Sequence, residues 1–379
     1  MTIRSCNVLI VGGGPAGSAC ARQLVRTGRD VLVMDKQPFP RDKVCAGWIT
    51  PAVIDALELD CDDYTRSRVM QPIHGFRTGL IGEAPVETFY DQAASFGILR
   101  REFDDYLLRR SGARLRLGET MRTMERYGSG WLVNGDIRTP MVVGAGGHFC
   151  PVSRALDTRH GHDKSAETIV AAQEIEFPLP ADERDQYGID SDVVQLYFSP
   201  DIKGYGWCIP KGNYLNIGLG REDHHRLPEH VEHFRIWLQQ RGCIPHHLPG
   251  KFNGHAYLLY SASHRKLTDH GVLLIGDAAG LAFPQSGEGI LPAVESGLIA
   301  GEVILDAAED YRQRKLVPYV TRLTAHFGVK NPRQPEPSWL QQTFMHKLAK
   351  PLMATPWFAR HVVVDRWFLH GGQRAAQIR

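Results

Sequence analysis

The sequence predicts an α/β protein: a Rossmann-like dinucleotide-binding domain with an inserted antiparallel β-sheet domain and a C-terminal helical tail. Three observations predict this class. A strand, a glycine-rich turn, a helix and a second strand follow one another near the N-terminus. A further apolar strand over Val272–Ile275 ends in Gly276-Asp277. Between these segments, runs such as VVQLYFSP and NYLNIGLG have the β-forming composition of an antiparallel sheet.

Composition narrows the function classes. The chain has 379 residues, 43% of them apolar and 23% charged, which is typical of a globular enzyme. A net charge of +2 argues against nucleic acid as the main partner. Seven cysteines without a C-x-x-C spacing predict neither a disulfide framework nor a metal site, and favour the cytoplasm. The start of the chain does not have the pattern of a signal peptide, and no apolar run reaches the roughly 20 residues of a membrane-spanning helix.

The N-terminal unit is a predicted dinucleotide site. Asn7–Val11 is an apolar strand, Ala16–Arg26 has helical composition, and Val31–Met34 is the next strand. The turn between the first strand and the helix carries the G-x-G-x-x-G spacing, which brings a pyrophosphate onto the positive helix end. A carboxylate at the end of the second strand can accept hydrogen bonds from ribose hydroxyls. The expected cofactor contacts are Gly12, Gly14, Pro15, Ala16, Gly17, Asp35 and Lys36.

The later segment predicts which dinucleotide binds. Strand Val272–Ile275 and the Gly-Asp after it resemble the para-hydroxybenzoate hydroxylase superfamily of flavoproteins, in which this pair closes on the ribityl chain of FAD. The run PQSGEGI is similar to the P-x-x-G-E-G-I loop of geranylgeranyl reductases, at a helix start whose N-H groups suit the polar edge of a reduced flavin. The resemblance implies FAD contacts at Gly276, Asp277, Pro284, Gly287, Gly289 and Ile290.

Two other segments resemble the same family. RREFDDYLL matches R-x-x-F-D-x-x-L and implies that Arg100 faces the phosphates or the ribityl chain of FAD. GAGGHFCPVSR resembles G-A-D-G-x-x-S-x-x-R, with Gly146 in place of the aspartate and Cys150 in place of the serine.

Cys45 lies in a third matching segment. PRDKVCAGWIT resembles P-R-x-K-x-C-G-G of the geranylgeranyl reductases, which implies that the segment runs along the flavin with Cys45 facing the active site. We expect Arg41, Cys45 and Ala46 to contact FAD and Trp48 to contact substrate. Cys45 is interpreted as a pocket wall or proton-relay residue, with inert packing as the alternative. A redox disulfide is disfavoured because Cys61, the next cysteine along the chain, is distant in sequence.

The inserted region carries a substrate motif. GYGWCIP resembles Y-x-W-x-F-P of the reductases, and aromatic residues two apart on a strand share one face. We expect Tyr205, Trp207 and Pro210 to line an apolar slot, and Tyr205, Trp207 and Cys45 to be catalytic; core packing of the sheet is the alternative. Flavin-dependent halogenases carry a similar W-x-W-x-I-P, but this chain has no lysine between Lys43 and Lys164 to direct the oxidant.

The motifs imply a discontinuous organisation. The predicted FAD domain comprises residues 1–75, 95–160 and 265–330, and the predicted substrate domain 76–94 and 161–264. Residues 331–379 form a predicted helical tail rich in aromatic residues, with six basic residues against one acidic residue from Trp339 onward. Such a tail lies on an anionic membrane or packs on its own domain, and both alternatives are open.

These features predict an FAD-dependent oxidoreductase of the geranylgeranyl reductase type. Hydride from reduced flavin would reduce a C=C bond of a hydrophobic, isoprenoid-like substrate, and transiently bound NAD(P)H or a small electron carrier would reduce the flavin. The alternatives are an FAD monooxygenase acting on an aromatic or polyketide-like molecule and a flavin-binding module without turnover.

Overall fold

The computed structural model describes residues 4–160, 169–222, 226–329 and 351–370. Its strands in chain order are β1 (Arg4–Ser5), β2 (Val8–Val11), β3 (Val31–Asp35), β4 (Trp48–Ile49), β5 (Met70–Ile73), β6 (Gly75–Leu80), β7 (Val86–Phe89), β8 (Ser95–Ile98), β9 (Arg114–Leu117), β10 (Met124–Tyr127), β11 (Gly130–Val133), β12 (Ile137–Thr139), β13 (Met141–Gly144), β14 (Ile169–Pro178), β15 (Val193–Phe198), β16 (Gly204–Lys211), β17 (Tyr214–Arg221), β18 (Asn253–Leu258), β19 (Thr268–Asp269) and β20 (Val272–Leu274).

Helices connect and cover these strands. The α-helices are α1 (Pro15–Val25), α2 (Pro51–Leu57), α3 (Cys61–Thr65), α4 (Arg100–Arg110), α5 (Pro151–His160), α6 (Ala181–Arg184), α7 (Leu227–Gln240), α8 (Ile290–Asp306), α9 (Gln313–Phe327) and α10 (Pro356–Phe358). Short 3₁₀ turns occupy Asp185–Tyr187, Tyr260–Ala262 and Gly276–Ala278, and a π-helix spans Ala359–Phe368.

The central sheet carries the predicted dinucleotide unit. Its strand order is β19-β20-β13-β2-β3-β9, and every pair is parallel except β19 with β20. The strand β2 is buried at all four positions, as expected for a parallel strand covered on both faces. Helices α1 and α8 pack closely because Gly297 of α8 has no side chain. A Cβ at this position would lie 2.4 Å from the carbonyl oxygen of Ala16. The carboxyl ends of the strands therefore open toward one edge, where doubly wound sheets bind ligands.

Two smaller sheets flank the central one. One has the order β1-β12-β11-β10 and packs on the core of the central sheet through Trp131, Val133 and Ile137. The other has the order β4-β8-β5 and anchors the chain just after Cys45, because Trp48 of β4 pairs with Gly97 of β8.

A seven-stranded sheet faces the carboxyl edge of the central sheet. Its order is β18-β14-β17-β16-β15-β6-β7, and neighbours are antiparallel except β15 with β6. Helix α7 covers its outer face, where Gly206 leaves room for Phe234: a Cβ at this position would lie 2.5 Å from the ring. The predicted fold class, including the inserted antiparallel sheet, is confirmed. The predicted domain boundaries stay a prediction, supported by the membership of β6, β7 and β14–β18 in this one sheet.

The described part of the predicted tail, residues 351–370, is helical and packs against the seven-stranded sheet. The ring of Phe368 lies 5.6 Å from that of Trp48 and 5.2 Å from that of Tyr205, and Trp367 meets Phe198 at 5.9 Å. The rest of the predicted tail, 331–350 and 371–379, lies outside the described residues. Within the described chain, no helix combines the length and apolar character that crossing a bilayer requires.

Candidate active site

A cavity of about 690 Å³ lies between the carboxyl edge of the central sheet and the seven-stranded sheet. It brings together most of the residues that the sequence predicts. The predicted residues that line it are Gly12, Gly14, Pro15, Ala16, Asp35, Lys36, Arg41, Cys45, Ala46, Trp48, Arg100, Tyr205, Trp207, Asp277, Gly287, Gly289 and Ile290. The structure thus brings to one cavity residues that lie up to 278 positions apart in the chain. The role of each residue stays a prediction.

Four predicted residues lie outside the described lining of this cavity: Gly17, Gly276, Pro210 and Pro284. Gly17 supports the turn from behind, because a Cβ there would lie 2.0 Å from the carbonyl oxygen of Gly12. Gly276 has φ +59°, which glycine adopts without strain. Pro210 lies on the face of β16 opposite to Tyr205 and Trp207, since side chains alternate along a strand. Pro284 lines a second, smaller cavity.

One end of the cavity is built for a phosphate. Gly12 has φ +120°, and a Cβ there would lie 2.3 Å from the carbonyl oxygen of Ala145. The helix α1 begins directly after this turn, with Gly14 as its N-cap, so its positive end faces the cavity. The carboxylate of Asp35 accepts hydrogen bonds from the backbone N-H of Gly13 at 2.8 Å and of Gln37 at 2.9 Å, which fixes it at the rim.

Two arginines extend this anion site. Arg100 donates two hydrogen bonds to the buried carboxylate of Asp104, at 2.8 and 2.9 Å. Arg41 Nη2 lies 3.2 Å from the same carboxylate. Arg41 Nη1 is buried and has no hydrogen-bond partner among the described residues. A buried cationic donor without an acceptor fits a bound phosphate oxygen, so the residues present fit the pyrophosphate of FAD.

A cluster that the sequence did not predict as a unit adjoins Asp277. Lys43 Nζ lies 3.1 Å from His255 Nδ1, and His255 Nε2 lies 3.7 Å from the Asp277 carboxylate. Burial lowers the pKa of Lys43, and the positive charge of Arg100 lowers it further. Burial also lowers the pKa of His255, and the positive charge of Lys43 adds to this effect. Burial alone would raise the pKa of Asp277, but His255, Lys43 and Arg100 outweigh burial and hold it below its ordinary value. Asp277 is therefore an anion at neutral pH.

The loop before α8 presents backbone to the cavity. Gly287 has φ +67°, and a Cβ there would lie 2.3 Å from the hydroxyl oxygen of Tyr257. A Cβ at Gly289 would lie 3.1 Å from Asp277 Oδ1. Helix α8 begins at Ile290 directly after this loop. Glycine at both positions therefore leaves room for Tyr257 and Asp277, and the positive end of the α8 dipole lies at this part of the cavity.

Aromatic side chains enclose the other end of the cavity. Tyr205 and Trp207 share a face of β16, with ring centroids 6.0 Å apart, and Trp48 and Phe368 complete the wall. The Tyr205 hydroxyl donates to the carbonyl oxygen of Ser286, and Trp207 Nε1 donates to Asn216 Oδ1 at 2.7 Å. Tyr205 also borders the second cavity, of about 180 Å³.

Two strands of the seven-stranded sheet, β14 and β17, hold the backbone of Cys45 by hydrogen bonds. The backbone N-H of Cys45 donates to Glu174 Oε1 at 3.0 Å, and its carbonyl oxygen accepts from Asn216 Nδ2 at 3.3 Å. The thiol sulfur accepts a hydrogen bond from Gly47 N at 3.4 Å, and all seven cysteines are free. Cys45 thus lines the cavity in a fixed position.

Sequence reasoning missed several lining or supporting residues, four of which bear on the chemistry of the site. These four are Glu174, Asn216, His255 and Phe368. Each is isolated in a strand or in the tail, outside any motif. The available signal was Lys43, which belongs to the P-R-x-K-x-C match and contacts His255.

Comparison with known proteins identifies the family. Residues 10–55 match the model of the NAD(P)-binding Rossmann-like domain. The chain is 28% identical to digeranylgeranylglycerophospholipid reductase 3 of Methanosphaera stadtmanae, over 87% of this chain and 85% of the relative. It is 30% identical to menaquinone reductase of Mycobacterium tuberculosis, over 79% and 76%. A solved geranylgeranyl bacteriochlorophyll reductase-like protein from Thermoplasma acidophilum superposes with a TM-score of 0.72 at 23% identity, covering 93% and 88%. The chain therefore belongs to the geranylgeranyl reductase family of FAD-dependent oxidoreductases.

Proposed function

We propose that the protein reduces a carbon–carbon double bond in a hydrophobic, prenylated substrate. The observation that carries this proposal is the continuity of one cavity from the phosphate-binding end to the aromatic wall of Trp48, Tyr205, Trp207 and Phe368. The names of the two curated relatives, a digeranylgeranylglycerophospholipid reductase and a menaquinone reductase, support a lipid-like substrate.

The proposed roles of the residues follow their places along the cavity. The turn at Gly12 and Gly14, with Arg41 and Arg100, would hold the FAD pyrophosphate, while Asp35 and Lys36 would hold the ribose of the adenosine. Asp277 and the backbone from Gly287 to Ile290 would hold the ribityl chain and the polar edge of the ring. Bound and reduced, FAD supplies a hydride.

The aromatic wall would orient the reacting bond. An isolated alkene is a poor hydride acceptor, so its position must be restricted before reaction. Tyr205 and Trp207 are tied to Ser286 and Asn216 by their polar atoms, which leaves their ring faces for the substrate. Cys45 and Trp48 line the same end of the cavity and would also border the slot. The Trp207 ring is nearly buried, at 6% exposure, and a substrate packed on it would displace water from this end of the cavity.

The tail and the reductant complete the proposal. Trp357, 66% exposed, and Leu352, 42% exposed, lie on the segment that ends at the cavity wall, which supports peripheral contact with a membrane that stores the substrate. Transiently bound NAD(P)H or a small electron carrier would reduce the flavin. Anaerobic mixing of the FAD-loaded protein with NADPH, NADH or reduced ferredoxin, followed by flavin absorbance, distinguishes these donors.

The decisive experiment is anaerobic turnover with mass spectrometry. The FAD-loaded protein, reduced with dithionite, is mixed with geranylgeranylated glycerophospholipid or with menaquinone. We expect a product heavier by two hydrogen atoms and reoxidised flavin. A product that forms only in the presence of oxygen contradicts the proposal and favours the monooxygenase. Bound flavin that no donor reduces favours a binding module without turnover.

A further inference from the structure

Glu174 is a buried acid on the substrate side of the cavity. It lies on β14, is 7% exposed and lines the cavity beside Cys45 and Trp207. Glu176 shares its face of the strand but lies outside the described lining of the cavity and pairs with Lys211 at 2.5 Å. The two carboxylates therefore differ in access to a bound substrate.

Hydrogen bonds fix the Glu174 carboxyl relative to the reacting region. Its Oε1 accepts from the backbone N-H of Cys45 at 3.0 Å, and its Oε2 accepts from Asn216 Nδ2. The same Asn216 accepts from Trp207 Nε1 at 2.7 Å. One amide thus links the acid to an aromatic residue of the substrate wall and, at 3.3 Å, to the Cys45 carbonyl oxygen.

The surroundings bring the pKa of this carboxyl close to the working pH. Burial and, less strongly, the charge of Glu176 raise the pKa of Glu174, while Lys211, Asn216 and the Cys45 N-H lower it, and the net pKa is about 6. The Lys211 ammonium is itself neutralised in part by Glu176. An acid whose pKa lies near the working pH can both donate a proton and regain one from water.

We infer that Glu174 is the general acid of the reduction: its carboxyl protonates the alkene carbon next to the one that receives hydride. This inference rests on the proposed function. Hydride from reduced flavin forms one C–H bond, the two electrons of the C=C π bond take the proton from the Glu174 O–H, and the second C–H bond forms. The substrate gains two hydrogen atoms, FAD is left oxidised, and Glu174 is left as a carboxylate that water reprotonates.

Single-turnover kinetics tests the inference with a matched pair of variants. Glu174→Gln removes the acid and keeps the side-chain length, while Glu176→Gln makes the same change two positions away on the same face. With dithionite-reduced protein and geranylgeranylated glycerophospholipid at pH 6.5, we expect Glu174→Gln to slow flavin reoxidation by about 10²- to 10⁴-fold. Glu176→Gln is expected to slow it far less than Glu174→Gln does, because Glu176 lies outside the cavity lining and acts on Glu174 only through its charge, Lys211 and Asn216. Glu174→Asp, which keeps an acid, is expected to fall between them.

A second readout does not depend on turnover. Infrared difference spectra of the FAD-loaded protein between pH 5 and pH 8 are expected to contain a protonated-carboxyl band that Glu174→Gln lacks and Glu176→Gln keeps. The same band in Glu174→Gln would overturn the inference, as would reoxidation by Glu174→Gln at the wild-type rate. If the wild type itself reduces neither geranylgeranylated glycerophospholipid nor menaquinone, the failure belongs to the proposed function.

Discussion

Gly218→Ala tests whether the position of Trp207 controls the reaction. Gly218 lies on β17 beneath the indole ring, and a Cβ at this position would lie 2.3 Å from Trp207 Cζ2 and 2.8 Å from the carbonyl oxygen of Gln173. Ordinary contacts of a Cβ begin at 3.4 Å, so the ring or the strand must move by about 1.1 Å. Strand β14 pairs with β17 and leaves little room on that side, so the Trp207 ring can move only toward the cavity.

The expected cost follows from this displacement. Overpacking of a well-packed core costs about 1–3 kcal/mol of unfolding free energy. Movement of the indole also stretches the 2.7 Å hydrogen bond from Trp207 Nε1 to Asn216, a contribution of about 1 kcal/mol. A misplacement of about 1 Å at a positioning residue can reduce the rate about 10²-fold. We therefore expect Gly218→Ala to lose about 2–4 kcal/mol of stability and about 10²-fold in single-turnover rate.

Gly220→Ala is the matched control on the same face of β17. Its Cβ would lie 3.4 Å from Ala172 Cβ and 3.8 Å from Trp207 Cζ3, both ordinary contacts. The two variants share the entropic effect of replacing glycine in the unfolded chain. Urea unfolding measures the stability of the two variants, and anaerobic flavin reoxidation measures their single-turnover rates. Equal stability and equal rates in the two variants would refute the reasoning.

Three further predictions concern other parts of the cavity. Arg41→Ala is expected to weaken FAD binding by about 10- to 100-fold, because the phosphate loses a buried charged donor. Fluorescence titration measures the Kd for FAD, and Arg26→Ala, at an exposed arginine, should leave that Kd unchanged. The pKa of Glu174, raised by burial to about 6, means that its contribution to stability is present below about pH 4.5 and is lost as pH rises through 6. From pH 4.5 to pH 7.5 the free energy of unfolding, measured with urea, should therefore lose about 2 kcal/mol in the wild type that Glu174→Gln does not lose. The same pH dependence in the two proteins would contradict this assignment. Phe368→Ala should lower the free energy of unfolding by about 3–5 kcal/mol and raise the KM for a prenylated substrate. Phe89→Ala, at a residue 52% exposed, should change the free energy of unfolding by less than about 0.5 kcal/mol. Equal losses of stability in the two variants would show that Phe368 does not pack as described.

The sequence alone determined the cofactor half of the protein. The turn through Gly12, Gly14 and Gly17 and the Gly-Asp at 276–277 are local patterns, because Gly12 and Gly276 have positive φ angles in their own turns and a Cβ at Gly17 would meet the carbonyl oxygen of Gly12. The period of two along a strand likewise placed Tyr205 and Trp207 on one face. The same period places Pro210 on the opposite face, which the motif match alone did not reveal.

Only the tertiary structure decided how the substrate end is built. Glu174 and Asn216 meet because β14 and β17 pair in an antiparallel register that aligns Glu176 with Asn216. Phe368 reaches Trp48 from 320 positions away, through packing of the tail on the inserted sheet. A strand's sequence fixes which residues share a face, but strand pairing and long-range packing fix what that face meets. The raised pKa of Glu174 depends on that burial, so no local pattern could have predicted it.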